Sequence, residues 1–537
     1  MYRLDEDKRA AASPRPLSGR GVAYWTDGRG DDRIFFVTIG YQLVGLEAKT
    51  GHPVRGFGQN GIVDLKQNDD QVLDPITGEI GLNSPPVVAK DVVIVGAAHR
   101  AGGAPRSRAN AKGYVRGFDV RTGKRLWIFH TILQPGEFGN DTWEKDSWAY
   151  SGNTGVWAPF SVDEALGMVY LPVELPTGDY YAGHRPGNTL FGESLVAVDL
   201  QTGRRIWHYQ LVHHGVWDYD IPCAPILADI TVNGRMIKAA AQPTKQGFVY
   251  VFDRQTGQPV WPIEERPVEQ SKVPGEKTSP TQPFPTKPPP FERQGIQVDD
   301  LIDLTPALKA EVMTFASRYK LGPLFTPPIA RNEDGKIGML YVPNGANWPG
   351  GSYDPETGIL YVFSHTLTRN ISLVNDANRS DMNYINSGGG GDTGGALTVQ
   401  GLPIVKPPWG RITAIDLNKG EIVWQVAHGE TLDIVRDHPA LKGVTIPKTG
   451  RMGPIGTLTT KTLVISGESG FTTTPSGQRA ARLYAYDKAT GVVVGELFMP
   501  APQTGTPMTY MLGGKQYLVL AISGAGVPAE FIAFTSK

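Results

Sequence analysis

One phrase recurs along the chain and constrains its fold more than any other feature. It runs as an apolar residue, usually an Asp, two variable residues, Thr/Lys-Gly, and then often an apolar pair ending in Trp. It appears as GLEAKTGHPV (45–54), GFDVRTGKRLW (117–127), AVDLQTGRRIW (197–207), VFDRQTGQPVW (251–261), AIDLNKGEIVW (414–424) and AYDKATGVVVG (485–495). Alternating apolar residues enter as a strand, Asp and Gly make a tight turn, and a second strand leaves toward a Trp that packs between sheets. SYDPETGILYVFS (352–364) is a related turn. The turn glycines, at 51, 123, 203, 257, 420 and 491, lie 72, 80, 54, 163 and 71 residues apart. Repeats of several strands at this spacing predict an all-β chain, a β-propeller with long insertions. The 163-residue interval is expected to hold two further units.

Composition agrees. Glycine is high at 65 and proline at 43 in 537 residues, which suits many short strands joined by turns. The 52 Lys+Arg balance 53 Asp+Glu, so no basic excess points to nucleic acid. Cys223 is the single cysteine, which excludes a disulfide framework, a CxxC redox pair and a CxxCH haem attachment. The first residues, MYRLDEDKRAAASPRPLSGRG, lack the apolar core of a signal peptide, and no run of about 18 apolar residues predicts a transmembrane helix. No GxGxxG follows a strand and opens a helix, as a nicotinamide-dinucleotide site requires.

The organisation expected is one propeller domain over 1–537 with two insertions, 262–330 and 365–405. Residues 262–294 are proline-rich and charged, and predict a surface crossing without regular structure. In TPALKAEVMTFASRYKLG (305–322), Thr305 caps a helix, Pro306 suits its first turn, and Leu308, Val312, Phe315 and Tyr319 share a face. SGGGGDTGG (387–395) lacks the Lys-Ser/Thr of a phosphate loop.

The stretch HHGVWDYDIP (213–222) follows the third hairpin and is unusually polar and aromatic. Adjacent strand residues point to opposite faces, so His213 and His214 cannot both enter one site. With this stretch, NTGVWAPFSVD (153–163), VYLPVELPTGDYY (169–181), QPTKQGFVYVFDRQTG (242–257), FTPP (325–328), GANWPGGSYDPETG (345–358), KPPWGRITAIDL (406–417) and TPMTYMLGGKQYLVLAISG (506–524) span nearly the whole chain. Together these phrases resemble the pyrroloquinoline-quinone (PQQ) dependent alcohol and sugar dehydrogenases, most of all the membrane glucose dehydrogenase branch. The resemblance implies an eight-bladed propeller and oxidation of a sugar, polyol or other alcohol, with hydride passing to the quinone C5.

It also implies roles. Asp218 is the base that takes the hydroxyl proton. Lys245 hydrogen-bonds the quinone oxygens, and Trp157 is the ring on which the cofactor stacks. Asn347 and Trp409 line the cofactor cavity. Thr177 is a ligand of a calcium or magnesium ion that acts as a Lewis acid, with Asp218 beside it. Asp220, two residues after the base, permits a lanthanide. Electrons would pass to a membrane quinone or a separate cytochrome, and the family's location implies the periplasm.

Three departures qualify the match. His99, Arg100 and Ala101 stand where the branch carries an acidic or amide metal ligand, so Glu174 is the nearby substitute. Trp25 stands where the glucose branch has a histidine near the cofactor. Only seventeen residues precede SGRGVAYW (18–25), so the first blade is expected to be incomplete. The contrary expectation, drawn from the altered ligand and the short start, is a catalytically inactive propeller serving as a binding scaffold.

Overall fold

The computed structural model describes residues 6–16, 21–100, 102–343, 345–388 and 396–535. Seven antiparallel sheets of three to five strands follow one another along these residues. The first four-stranded sheets cover Ala23–Thr26 to Ile62–Asp64, Val87–Ala89 to Arg125–Phe129, and Ser161–Asp163 to Arg205–Gln210. The fourth sheet has three strands, Ile226–Val232, Arg235–Pro243 and Val249–Asp253. The fifth pairs Gly351–Asp354, Ile359–His365, Gly410–Asp416 and Glu421–Ala427. The sixth lies within Leu458–Thr459 to Val493–Met499, and the seventh has three strands between Met508–Leu512 and Val527–Thr535. The first strands of several neighbouring sheets touch one another, as they do when sheets radiate from a common axis. The chain is a β-propeller. Seven sheets stand among the described residues where eight were expected, and the three-stranded ones are the fourth and seventh, not the first.

The repeated phrase builds the third-to-fourth strand hairpin of a sheet and fastens that sheet to the next. Asp119 Oδ1 accepts from the backbone N–H groups of Arg121 and Thr122 at 3.1 and 2.7 Å, closing the turn. Asp199 and Asp487 do the same in theirs. The Trp that ends one phrase then docks on the turn of the following one. Trp127 Nε1 donates to the Leu200 carbonyl at 2.9 Å, Trp207 to Arg254 at 3.0 Å, and Trp424 to Lys488 at 3.1 Å. Gly203 is the floor under Trp127: its φ is +66°, and a Cβ there would lie 2.6 Å from the indole. The next turn must therefore carry Gly for both backbone and steric reasons.

This docking corrects the reading of the 163-residue interval. Trp261 of the fourth sheet meets Gly420, in the turn of the fifth. First strands Ile226–Val232 and Gly351–Asp354 touch directly. Among the described residues no further four-stranded sheet lies between them. The interval holds two-stranded pairs and a helix instead. The proline-rich crossing is also more regular than expected, since Ile263–Pro267 pairs antiparallel with Thr281–Pro285. Two of the three prolines in these strands, Pro267 and Pro285, sit at strand ends, where a missing N–H costs least.

The helix forms at Pro306–Ala316, with the Thr305 hydroxyl accepting from Leu308 N. It buries Leu308, Val312 and Ala316 against Val399, Leu402 and Ile404, so the two insertions share one core. Most of the glycine-rich loop 387–395, and Ala101, lie outside the described residues. Among the described residues no helix is long and apolar enough to cross a membrane.

Candidate active site

Antiparallel topology fixes where chemistry can gather. In a four-stranded sheet the 1–2 and 3–4 turns lie at one end. The 2–3 loop and the connection to the next sheet lie at the other. Every Asp-Gly repeat turn is therefore on one face of the propeller. The opposite face carries a cavity of about 440 Å³. Its walls come from 2–3 loops (Arg100, Glu174, Asp179, Lys245, His365) and from sheet connections (Trp157, Asp218, Asp220, Asn347).

At its centre Lys245 bridges two carboxylates. Its Nζ donates to Asp218 Oδ1 at 2.9 Å and to Asp220 Oδ2 at 3.1 Å, with all three side chains nine-tenths buried. Asp220 is further held by Leu175 N at 2.9 Å and by Trp157 Nε1 at 3.3 Å. Lys245 Nζ sits 5.9 Å from the Trp157 ring centre, within cation–π range. Asp220 thus aims both the ammonium and the indole. Asp218 has φ +57°, a left-handed conformation that an Asp side chain tolerates better than most. The glycine before its Trp, Gly215, presses on the buried carboxyl of Glu193, which burial and then the charge of Asp220 push well above the usual carboxylate range.

Glu174 is on the same wall. Its Oε1 pairs with His99 Nδ1 at 2.7 Å and accepts from Gly155 N at 2.9 Å. The His99 ring is itself buried, and its carbonyl accepts from Arg15 Nε at 2.8 Å. Arg100 lies at the cavity rim, largely exposed and 3.3 Å from Glu79. Among the described residues, no group of three or more His, Cys, Asp or Glu is arranged to hold a metal ion.

Of the residues read from the sequence, Trp157, Asp218, Asp220, Lys245, Asn347 and Glu174 are brought together on this cavity. Two are not. Trp409 is fully buried, its indole donates to the Val405 carbonyl at 2.9 Å, and it packs in the core of the insertion helix. Trp348 lines the cavity instead. Thr177 is buried behind the wall, where its hydroxyl donates to Asn153 and accepts from Gly152 N. Trp25 lies away from the cavity between the guanidinium groups of Arg33 and Arg121. His213 pairs with Glu265 and Gln210, and His214 with Glu276 and the Gly187 carbonyl, so neither histidine enters the cavity. Sequence reasoning missed Asp179, His365 and Arg369, all on the wall. Their one signal was position, since each falls in a 2–3 loop.

The cavity suits a planar polycarboxylate quinone. It offers an indole face at Trp157, a buried ammonium, and the cations Arg15, Arg100 and Arg369 in its wall. For a hard cation it offers oxygen donors at Glu174 and Asp218, which is the right donor chemistry without a closed cage.

The chain is similar to known proteins over nearly its whole length. Residues 1–518 match the family described as "PQQ: Glucose/ethanol/alcohol dehydrogenase, beta-propeller domain". The chain is 29% identical to the glycerol dehydrogenase large subunit of Gluconobacter oxydans, over 98% of this chain and 72% of that one. It is 30% identical to the quinoprotein glucose dehydrogenase of Escherichia coli, over 90% of this chain and 60% of the relative's length. Among solved structures, quinohemoprotein alcohol dehydrogenase ADHIIG of Pseudomonas putida superposes with a TM-score of 0.64 at 22% identity, covering 99% of this chain and 68% of that one.

Proposed function

The chain belongs to the PQQ glucose/ethanol/alcohol dehydrogenase β-propeller family, and from that premise we propose that it oxidises the CH–OH group of an alcohol, polyol or sugar. The observation that carries the reading is the Asp218–Lys245–Asp220–Trp157 cluster on one cavity. Bound there, PQQ would supply an electrophilic quinone, and a divalent calcium or magnesium ion would supply Lewis acidity.

The chain's own residues do the rest. Asp218 takes the proton of the substrate hydroxyl. Lys245, 2.9 Å away, favours the ionised carboxylate that a base needs, and its positive charge would stabilise the quinone oxygens. Trp157 gives the face on which the ring system stacks, and Asn347 lines the same space. Asp220 is engaged by three protein donors, so its part is to hold Lys245 and Trp157 in place. Glu174 and Asp218 are the residues that would hold the cation, with His99 orienting the Glu174 carboxylate. The buried walls keep water from the exchange. Electrons leave to an external acceptor, a membrane quinone or a cytochrome, on the periplasmic side.

The test is direct. The purified chain, loaded with PQQ in calcium, magnesium or a lanthanide, is offered a panel of alcohols and sugars with an artificial dye. Dye reduction is expected in the wild type. Asp218→Asn should keep the cofactor and lose turnover by about 10²- to 10⁴-fold. A wild-type chain that takes up no PQQ with any of the three metals refutes the reading and favours the scaffold alternative.

A further inference from the structure

Two irregular segments meet at the base. One is the 2–3 loop of the third sheet, between Met168–Pro172 and Ser194–Asp199. The other is the connection that follows Arg205–Gln210 and carries Asp218. Arg185, a fully buried residue of the loop, ties them together. Its Nε donates to the Thr177 carbonyl at 3.1 Å. Its Nη2 donates to the Gly178 carbonyl at 3.1 Å and, across the two segments, to the Gly215 carbonyl at 2.7 Å. The next residue of the loop, Asp179, lines the cavity, and its carbonyl accepts from Asp218 N at 3.3 Å. The turn around Arg185 also meets the connection one residue earlier, where His214 Nδ1 donates to the Gly187 carbonyl at 2.7 Å.

The segment held in this way is strained. His214 has φ +46° and Asp218 φ +57°. Neither is a glycine, so each conformation persists only where surrounding contacts hold it. Gly215, whose carbonyl Arg185 grips, lies between them. Nη1 of Arg185 is buried with no acceptor among the described residues. A charge taken out of water and only partly matched is a poor device for stability, so its bonds are better read as placement.

We propose that Arg185 is a positioning residue for the base. Its planar fork locks the carbonyls of Thr177 and Gly178 to that of Gly215, and so holds Asp218 against the cavity wall. The inference deepens the proposed function and rests on it for the identity of the base. A lysine at 185 keeps the charge and loses the fork, so it cannot make all three bonds at once.

Three proteins decide it: wild type, Arg185→Lys and, as a control, Arg254→Lys, each checked for fold by circular dichroism. Arg254 is also buried, but it bonds Asp163 and the Ala228 carbonyl on the face of the repeat turns. PQQ is titrated by quenching of tryptophan fluorescence, and turnover is expressed per bound PQQ. R185K should bind PQQ within twofold of wild type, keep KM within threefold and lose kcat at least tenfold, while R254K matches wild type in all three. In the PQQ-free proteins, hydrogen exchange read by mass spectrometry should be at least tenfold faster over 175–179 and 213–220 in R185K, and unchanged in the sixth sheet. An R185K kcat within twofold of wild type, a loss matched by equal losses of PQQ affinity, an equal loss in R254K, or unchanged exchange overturns the inference. If R185K does not fold, Arg185→Gln takes its place, and failure of both to fold shows a folding residue and overturns the inference too. A wild type that takes up no PQQ, or turns nothing over, refutes the proposed function, and the hold on Asp218 is then decided by the exchange alone.

Discussion

Gly203→Ala tests the account of how one sheet is fastened to the next. Gly203 has φ +66°, and an added Cβ would lie 2.6 and 2.7 Å from Trp127 ring atoms. Trp127 cannot retreat cheaply, because it is 5% exposed and its Nε1 is bonded to the Leu200 carbonyl. Two costs therefore combine. A left-handed conformation costs an L-residue about 1–2 kcal/mol. Overpacking against a fixed ring costs about 1–3 kcal/mol more. The chain supplies its own control. Gly167 has the same φ, +66°, and nothing within 4 Å of its added Cβ, so Gly167→Ala carries the backbone cost alone. Urea unfolding followed by circular dichroism should show G203A losing about 2–5 kcal/mol and G167A about 1–2 kcal/mol. In a Trp127→Leu background the excess should vanish, since the ring it meets is gone. An excess that survives W127L, or equal losses at the two glycines, refutes the docking argument.

Three further outcomes are expected. Lys245→Met removes the buried ammonium that Asp218 and Asp220 share and should cost about 3–5 kcal/mol in the same assay, with loss of PQQ uptake. Burial pushes His428 down to about 4, below an unfolded value of about 6.5, so the unfolded chain takes the proton first as pH falls. The stability from this group is full above pH 6.5 and is lost toward pH 4, which predicts about 2 kcal/mol less stability at pH 5 than at pH 7.5 from His428 alone. Cys223 is fully buried and its thiol is raised to about 12 by burial, so it should resist iodoacetamide at pH 8 until the chain is unfolded.

The fold was legible wherever local chemistry repeats. Asp turn closure, turn glycines and ring-bearing fourth strands are all short-range, so the phrase alone predicted the hairpins. The 163-residue interval was misread because spacing counts residues and not packing. The contact of Trp261 with Gly420, and of the two first strands with each other, shows that the two sheets are neighbours. The crossing at 262–294 was misread because proline content predicts irregularity, whereas Pro267 and Pro285 occupy strand ends and leave the pairing intact. In the site, Trp157 and Trp409 were indistinguishable as letters. A hydrogen bond to Asp220 puts one on the cavity, and a hydrogen bond to Val405 puts the other in a core. The tautomer of His365 carried no signal, because it depends on Gly453, 88 residues away.

The two faces of the propeller divide the work, and the stretch HHGVWDYDIP shows how. It leaves the third sheet at the end opposite its repeat turn, so it must cross the face where the 2–3 loops converge. Its histidines turn outward from the cavity to Glu265 and Glu276. Its two acids, two residues apart, share the Lys245 ammonium and are nevertheless unequal. Asp220 spends both oxygens on Leu175, Trp157 and Lys245, and so fixes the geometry. Asp218 meets that same Lys245 through Oδ1 from a left-handed turn at the cavity wall, which is where a base has to stand. An exchange of Asp for Asn at 220 should therefore disturb the binding of the cofactor, and the same exchange at 218 the turnover. Measured PQQ affinity and turnover for the two variants separate these effects, and identical losses in both would show that the acids act as one unit.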